Sequence, residues 1–129
     1  MADESYPEGL LYHPEHDWAR IEGDEATFGI TWFAQDALGE VVFFEPPEVG
    51  ATVTANESYA EVESVKAVSD VFAPLSGEIL AVNEALADTP EKINDDPYGD
   101  GWMVRIRLSD PAEKDGLLDV NAYRELLKS

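Results

Sequence analysis

The chain has 129 residues, no cysteine and a formal net charge of −20 at pH 7. Its length predicts a single domain with its own hydrophobic core, and its acidity argues against binding to nucleic acid or to an anionic membrane. The absence of cysteine excludes disulfides, thiolate metal sites and a cysteine nucleophile, so any thiol chemistry must come from an attached cofactor.

Turn residues divide the chain into short strands, which is typical of an all-β domain. Gly23-Asp24-Glu25 predicts the turn of a first hairpin, and Pro46-Pro47 ends a strongly apolar strand. Near the C-terminus, Val104, Ile106 and Leu108 alternate with arginines, which predicts one buried and one exposed face. The predicted strands cover residues 17–22, 26–30, 41–45, 51–54, 58–64, 68–74, 77–83 and 103–108.

The predicted helices are short. Thr31 is a suitable N-cap for a helix over residues 32–38, and Gly39 is a suitable end for it. Further helix starts are predicted at Thr89-Pro90, at Asp110-Pro111, and at Asp119 or Asn121, the last leading into a C-terminal helix that runs to Leu127.

The N-terminal residues lack the basic and apolar regions of a signal peptide and the arginines of a transit peptide. No apolar run reaches the roughly 18 residues of a membrane span. We therefore expect a cytoplasmic protein, or a mitochondrial one from which an import sequence has been removed. The acidity has two compatible interpretations: solubility in a salty cytoplasm, and electrostatic steering towards partners with basic rims.

Candidate sites for metal binding and catalysis are few. His13 and His16 are the only histidines, and a metal site would need carboxylates to complete the set of ligands. We interpret them as part of an exposed turn at Pro14 and expect no bound metal. The acidic loop at 94–101 lacks the alternation of a calcium loop. Without a nucleophile elbow or phosphate loop, the chain is expected to have no catalytic activity of its own.

Residues 62–71, VESVKAVSDV, read almost the same in both directions. Folding this segment at its centre predicts a β-hairpin whose two-residue tip is Lys66-Ala67. Mirror-type turns favour Asn-Gly or Asp-Gly, so a slightly wider loop is an alternative. The lysine protrudes in either case. The predicted cross-strand pairs are Val65–Val68, Ser64–Ser69, Glu63–Asp70 and Val62–Val71.

Lys66 is the one basic residue between Ile21 and Glu91, a stretch that holds fifteen Asp and Glu. A plain surface lysine needs no function, and a Schiff-base lysine needs burial or a cationic neighbour. This lysine has acidic neighbours and a protruding position instead. A covalent attachment site needs an accessible amine on a recognisable hairpin, and the sequence supplies both.

ESVKAVSD is followed by APLSGE and VNEAL, and the chain also contains ITWFAQDALGEVVFFEPPEVG, INDDPYGDGW and LLDVNAYRELL. In this order and spacing, from Leu11 to Leu127, the chain resembles the H protein family of the glycine cleavage system. The resemblance implies a mostly β fold: a lipoyl/biotinyl-type β-sandwich, or barrel-sandwich hybrid, with short helices and a C-terminal helix. We expect an N-terminal extension at 1–10 and a single lipoyl-carrier domain at 11–129.

The resemblance also implies roles for single residues. Lys66 would carry lipoate in amide linkage, and Glu63 and Gly77 would help the attaching enzyme to recognise the hairpin. Gly50 is a weaker candidate for recognition, and both glycines could simply serve turns. Asp17 stands where the family usually has Glu and would line the cleft that shelters the loaded arm. Two other departures are Trp32, where an acid is common, and Asn56, where a turn glycine is usual.

The implied function is to carry the aminomethyl group of glycine from a PLP-dependent glycine decarboxylase to a tetrahydrofolate-dependent aminomethyltransferase. A dihydrolipoyl dehydrogenase would reoxidise the arm, and a lipoyl-attaching enzyme would install it. The chain itself is expected to be a non-catalytic monomer. A lipoyl relay to 2-oxoacid dehydrogenases remains open because it would use the same hairpin. A biotin carrier is disfavoured because Val65 and Ala67, rather than methionines, flank the lysine.

Overall fold

The computed structural model describes residues 5–128 and contains two antiparallel β-sheets with short helices. The strands are β1 Leu11–His13, β2 Asp17–Glu22, β3 Glu25–Ile30, β4 Val41–Glu45, β5 Thr52–Val53, β6 Ser58–Ser64, β7 Val68–Phe72, β8 Gly77–Val82 and β9 Val104–Leu108. The helices are α1 Trp32–Leu38, α2 Ala85–Asp88, α3 Lys92–Asp95 and α4 Val120–Lys128, with a 3₁₀ helix at Pro111–Gly116. One sheet has the order β1-β2-β3-β9-β8-β5, and the other has the order β4-β6-β7.

Most strands form where local pattern predicts them. The β2–β3 hairpin turns at Gly23, whose φ of 65° lies in the left-handed region that glycine tolerates. In β9, Val104, Ile106 and Leu108 are buried and the two arginines are exposed. Strand β1 was not predicted because three residues are too few to show alternation. It forms because β2 pairs with it and because Tyr12 bridges to Leu118.

Two predicted N-caps and one predicted helix end are confirmed. The N–H of Ala34 donates to Thr31 Oγ1 at 3.3 Å, and Gly39 ends α1 with φ 82°. Asp119, rather than Asn121, caps α4 through a 2.8 Å bond from the N–H of Ala122. None of the described helices is long and apolar enough to cross a membrane.

The predicted helix start at Thr89-Pro90 is wrong in detail. Thr89 follows α2, a helix that was not predicted, and its hydroxyl donates to the carbonyl oxygen of Ala85 at 2.8 Å. The Thr89 hydroxyl therefore bonds to the preceding helix instead of capping the next one. Helix α3 starts after Glu91, which makes no side-chain capping bond.

Two groups of buried side chains hold the fold together. The larger one takes residues from both sheets, including Phe28, Val62 and Ile106, so the sheets face each other across one core. The smaller one is aromatic and lies where α4 meets β1 and β2. In it, Tyr12 stacks on Tyr123 with ring centroids 4.7 Å apart. This contact brings the C-terminal helix close to the β1–β2 turn.

Candidate functional site

Strands β6 and β7 form the hairpin that carries Lys66, but their register differs from the predicted mirror. The N–H of Ser64 donates to the carbonyl oxygen of Ala67 at 2.8 Å, so Val65 and Lys66 occupy the centre of the turn. The two-residue tip Lys66-Ala67 and all four predicted pairs are therefore wrong. The observed pairs are Glu63–Val68, Val62–Ser69, Glu61–Asp70 and Ala60–Val71.

Ser64 explains the shifted turn. Its Oγ accepts hydrogen bonds from the N–H of Lys66 at 3.3 Å and of Ala67 at 3.1 Å. Serine hydroxyls favour such local bonds to the backbone, and Lys-Ala offers nothing comparable. Every side chain nevertheless keeps its predicted face because each pairing moves by two positions. Val62 and Val71 are buried, and Glu63 is exposed.

The tip of the hairpin rests on the segment that follows α1. Lys66 is exposed. Its aliphatic stem lies over Gly39, where an added Cβ would be 3.2 Å from Lys66 Cε. The N–H of Val65 donates to the carbonyl oxygen of Glu40 at 3.0 Å. The lysine is therefore exposed, while its stem packs on Gly39 and its turn is hydrogen-bonded to Glu40.

Glu63 lies on the exposed face of the hairpin, on the strand that leads to Lys66. Its cross-strand neighbours are Phe43 on β4 and Val68 on β7, both exposed. The predicted neighbour, Asp70, pairs with Glu61 instead. Glu63 is thus a carboxylate set between two exposed apolar side chains, on the strand that leads to the lysine.

A cleft of about 360 Å³ opens beside the hairpin tip. Ala67 and Val68 line one side of it, Phe33 and Ala37 of α1 line another, and the buried Asp17 also belongs to its lining. Because Ala67 follows Lys66 directly, a group attached to the lysine could fold back into this cleft.

Asp17 contributes a buried carboxyl group to the cleft. Its side chain is 1% exposed, and burial raises the pKa of the carboxyl well above its usual value, with a further increase from the negative charge of Glu15. A hydrogen bond from the main chain of Phe72 opposes this increase. Its Oδ2 has no hydrogen-bond partner among residues 5–128. Burial raises the pKa of the Tyr59 hydroxyl, and the charge of the Asp17 carboxylate adds to this increase.

The two histidines belong to separate networks. His13 is buried. Its Nδ1 accepts from the N–H of Glu15, and its Nε2 donates to Asn56 Oδ1 at 2.6 Å. The expected exposed turn is thus correct for Pro14 but wrong for His13, which the chain reversal folds inward. Within the described part of the chain, no three His, Asp or Glu side chains form a group that could hold a metal. Asn56 has φ 73°, the left-handed conformation that it tolerates better than most residues.

His16 lines the cleft, and its hydrogen-bond partner could not be predicted from the sequence. Its Nδ1 lies 2.9 Å from Tyr123 Oη, which also lies 2.8 Å from Thr31 Oγ1. Its ring packs on Phe33, and burial lowers the pKa of its imidazole. Tyr123 follows His16 by 107 positions, so no local pattern could have paired them.

Gly50 and Gly77 lie at the β5–β8 side of the six-stranded sheet, whereas the hairpin strands belong to the other sheet. Gly77 pairs with both β5 and β9, and an added Cβ would overlap the carbonyl oxygen of Arg107. Gly50 has φ 92° and its N–H donates to the carbonyl oxygen of Ile79 at 2.8 Å. The structure therefore places Lys66 beside the Asp17 cleft, and it gives Gly77 a steric and Gly50 a conformational reason to be glycine.

Comparisons with known proteins show which family the chain resembles over its length. A family model described as "Glycine cleavage H-protein" matches residues 10–129. A "Glycine cleavage system H protein" of Halorhodospira halophila is 58% identical over 122 residues, which cover 94% of each chain. A "Probable glycine cleavage system H protein" of Haloarcula marismortui is 52% identical and covers 95% of this chain and 96% of its own.

A solved structure extends the likeness to the fold. The crystal structure of a glycine cleavage system H protein from Mycobacterium marinum matches with a TM-score of 0.84 at 40% sequence identity, covering 96% of this chain and 100% of that chain. The expected mostly β, lipoyl-type sandwich with short helices and a C-terminal helix is thereby confirmed. The matches span nearly the whole chain, and the chain belongs to the glycine cleavage H-protein family.

Proposed function

We propose that this chain is the lipoyl carrier of the glycine cleavage system, with lipoate joined by an amide bond to Nζ of Lys66. The observation that carries the proposal is the exposed lysine on a braced hairpin turn, directly beside a cleft with a buried carboxyl group. Glu63, on the exposed face of the strand that leads to the lysine, is proposed to help the attaching enzyme recognise the hairpin. Gly50 and Gly77 are proposed to contribute to recognition through the backbone shape that they allow.

The residues of the site fit such an arm. Lys66 offers its amine to solvent, and the cleft begins at the next residue along the chain. Inside it, Asp17 Oδ2 lacks a donor among the described residues, so an amine brought into the cleft would satisfy that oxygen. The dithiolane of lipoate would supply the sulfur chemistry that a chain without cysteine cannot supply.

The chain's own tasks are to hold the arm, to shelter its cargo from water and to present it to other proteins. We propose that it does this as a non-catalytic monomer. Its partners would be the PLP-dependent glycine decarboxylase, the tetrahydrofolate-dependent aminomethyltransferase, the dihydrolipoyl dehydrogenase and the lipoyl-attaching enzyme.

Intact-mass spectrometry of protein produced with lipoate available tests the attachment site. We expect an increment of one lipoyl group, mapped to the peptide that contains Lys66. Lys66→Arg should remove it and change the free energy of unfolding by less than about 0.5 kcal/mol, because an exposed side chain keeps its charge. Lys114→Arg, on the exposed 3₁₀ helix, is the matched control and should stay lipoylated. A lipoyl group on any other peptide would refute the proposal.

Reconstitution with the three glycine-cleavage enzymes tests the role of the lipoylated chain. We expect glycine decarboxylation that depends on the lipoylated protein and is absent with Lys66→Arg. Lipoylated protein that supports no decarboxylation but transfers its lipoyl group to a 2-oxoacid dehydrogenase would favour the relay function instead.

A further inference from the structure

One buried amide on α3 holds the segment that supports the hairpin tip. Asn94 is 3% exposed. Its Oδ1 accepts from the N–H of Val41 at 2.8 Å, and its Nδ2 donates to the carbonyl oxygen of Gly39 at 2.8 Å. The same Nδ2 donates to Gln35 Oε1 at 3.0 Å, which ties the amide to helix α1. A single side chain therefore fixes the residues on both sides of Glu40.

Glu40 in turn supports the lysine turn. Its carbonyl oxygen accepts from the N–H of Val65 at 3.0 Å, and Val65 is the residue before Lys66. The preceding residue, Gly39, packs beneath the stem of Lys66. A continuous path of contacts thus runs from α3 through the Gly39–Val41 segment to the lysine.

The neighbouring sheet supports this segment at one further point, where Val41 pairs with Ser64 on β6. The pairing of β4 with β6 is irregular between Val41 and Phe43, where the register shifts. The N–H of Val41 bonds to the Asn94 side chain at that point. The bonds from Ser64 Oγ lie inside the hairpin, so they set the shape of the turn and not its direction relative to the domain.

We propose that Asn94 is a positioning residue for Lys66, and that it fixes the direction in which the turn presents the lysine amine to the attaching enzyme. The inference rests on the proposed attachment of lipoate at Lys66. Without the amide, the Gly39–Val41 segment gains alternative positions and the turn is presented correctly for only a fraction of the time. The apparent affinity of the enzyme for the chain falls by that fraction, whereas the bound complex reacts as before.

Asn94→Asp is the informative variant because it is nearly isosteric. The carboxylate can still accept from the N–H of Val41, but it cannot donate to the carbonyl oxygen of Gly39. In attachment assays on the unmodified chain, we expect the KM for the chain to rise on the order of tenfold. The kcat should stay within about twofold.

Asn83→Asp is the matched control. Asn83 is also buried, and its Nδ2 donates to two main-chain carbonyl oxygens, those of Asp100 and Trp102, each at 2.8 Å. Asn83→Asp therefore loses the same donor group, but among the described residues its partners make no hydrogen bond to the Gly39–Val41 segment or to the hairpin tip. We expect its KM to equal that of the wild-type chain, even where its melting temperature falls as far as that of Asn94→Asp.

Hydrogen exchange gives a second measurement that does not depend on lipoate. In Asn94→Asp, the amide of Val65 should exchange faster because its acceptor, Glu40, is no longer held. The amide of Ser64, bonded within the hairpin to Ala67, should keep its protection. Both amides should be unchanged in Asn83→Asp.

A wild-type KM and an unchanged Val65 exchange rate in Asn94→Asp would overturn the inference, as would an equal rise of KM in the Asn83 control. If Asn94→Asp does not fold, Asn94→Ser takes its place, because one hydroxyl cannot reach both Val41 and Gly39. If the wild-type chain gains no lipoyl group on Lys66, the proposed function fails. The Val65 exchange rate still decides whether Asn94 holds the turn.

Discussion

Among single residues, Asp17 makes the stability of the fold depend on pH. Burial and the charge of Glu15 raise the pKa of its carboxyl well above the usual value of 3.8. The folded chain therefore binds this proton more tightly than the unfolded chain does. The contribution of Asp17 to stability is complete below a pH of 3.8 and is lost as the pH rises through the folded-state pKa.

Asp17→Asn should accordingly raise the free energy of unfolding at neutral pH, since an amide carries no charge to bury. The difference from the wild-type chain should shrink towards acid pH. Urea denaturation between about pH 4 and about pH 8 measures it. A variant that is less stable than the wild-type chain throughout this range would show that the charged carboxylate stabilises the cleft.

Variants of Glu63 and Glu61 distinguish a loss of enzyme recognition from a relief of charge repulsion. They lie two positions apart on the same exposed face, but Glu61 sits between Glu45 and Asp70. Glu61→Gln should raise the free energy of unfolding by about 0.2–1 kcal/mol, because opposed like charges repel, and should leave lipoate attachment unchanged. Glu63→Gln should slow attachment while changing stability by less than about 0.5 kcal/mol. Equal attachment rates in the two variants would contradict the role proposed for Glu63.

At the scale of elements, glycine is required at two positions for different reasons. Gly77 has no room for a side chain, and Gly50 has a backbone conformation that other residues rarely adopt. In Gly77→Ala the new methyl group would overlap the carbonyl oxygen of Arg107, so we expect the free energy of unfolding to fall by about 1–3 kcal/mol. In Gly50→Ala no heavy atom lies within 4 Å of the new Cβ, and only the φ of 92° is unfavourable, at about 1–2 kcal/mol. Urea denaturation measures both losses. Wild-type attachment rates in both folded variants would refute their proposed part in recognition.

The strands and helices also differ in how well they can be predicted from the sequence. Helix α1 has a threonine cap and a terminal glycine, and β9 has strict alternation, so local pattern sufficed for both. Strand β1 and helix α2 have three and four residues and depend on tertiary partners instead. The hairpin register was mispredicted because the hydrogen bonds of Ser64 outweigh the symmetry of the side chains.

The candidate site also has features that could be predicted from the sequence and features that could not. The placement of Lys66 and Glu63 on one hairpin could be predicted because the hairpin is local in sequence. The hydrogen bond from Asn94 to Gly39 could not, because Gly39 lies 55 positions away and a buried asparagine has no periodic signature.

For the whole molecule, the net charge of −20 dominates long-range electrostatics. Ion pairs between the described residues include Lys92 with Asp100 at 3.8 Å and Lys128 with Glu125 at 3.5 Å. Such exposed pairs contribute little to stability. Self-repulsion among the carboxylates opposes the compact state, and salt screens it.

Sodium chloride should therefore stabilise the fold and slow its encounters with partners. Raising it from about 0.01 M to about 1 M shortens the Debye length from about 30 Å to about 3 Å. We expect the melting temperature to rise over this range, and the double variant Glu45→Gln/Glu61→Gln to show a smaller rise because it has less repulsion to screen. The association rate with a partner that has a basic rim should fall as the stability rises. A melting temperature that falls with salt would show that attractive ion pairs, rather than repulsion, control the stability of this chain.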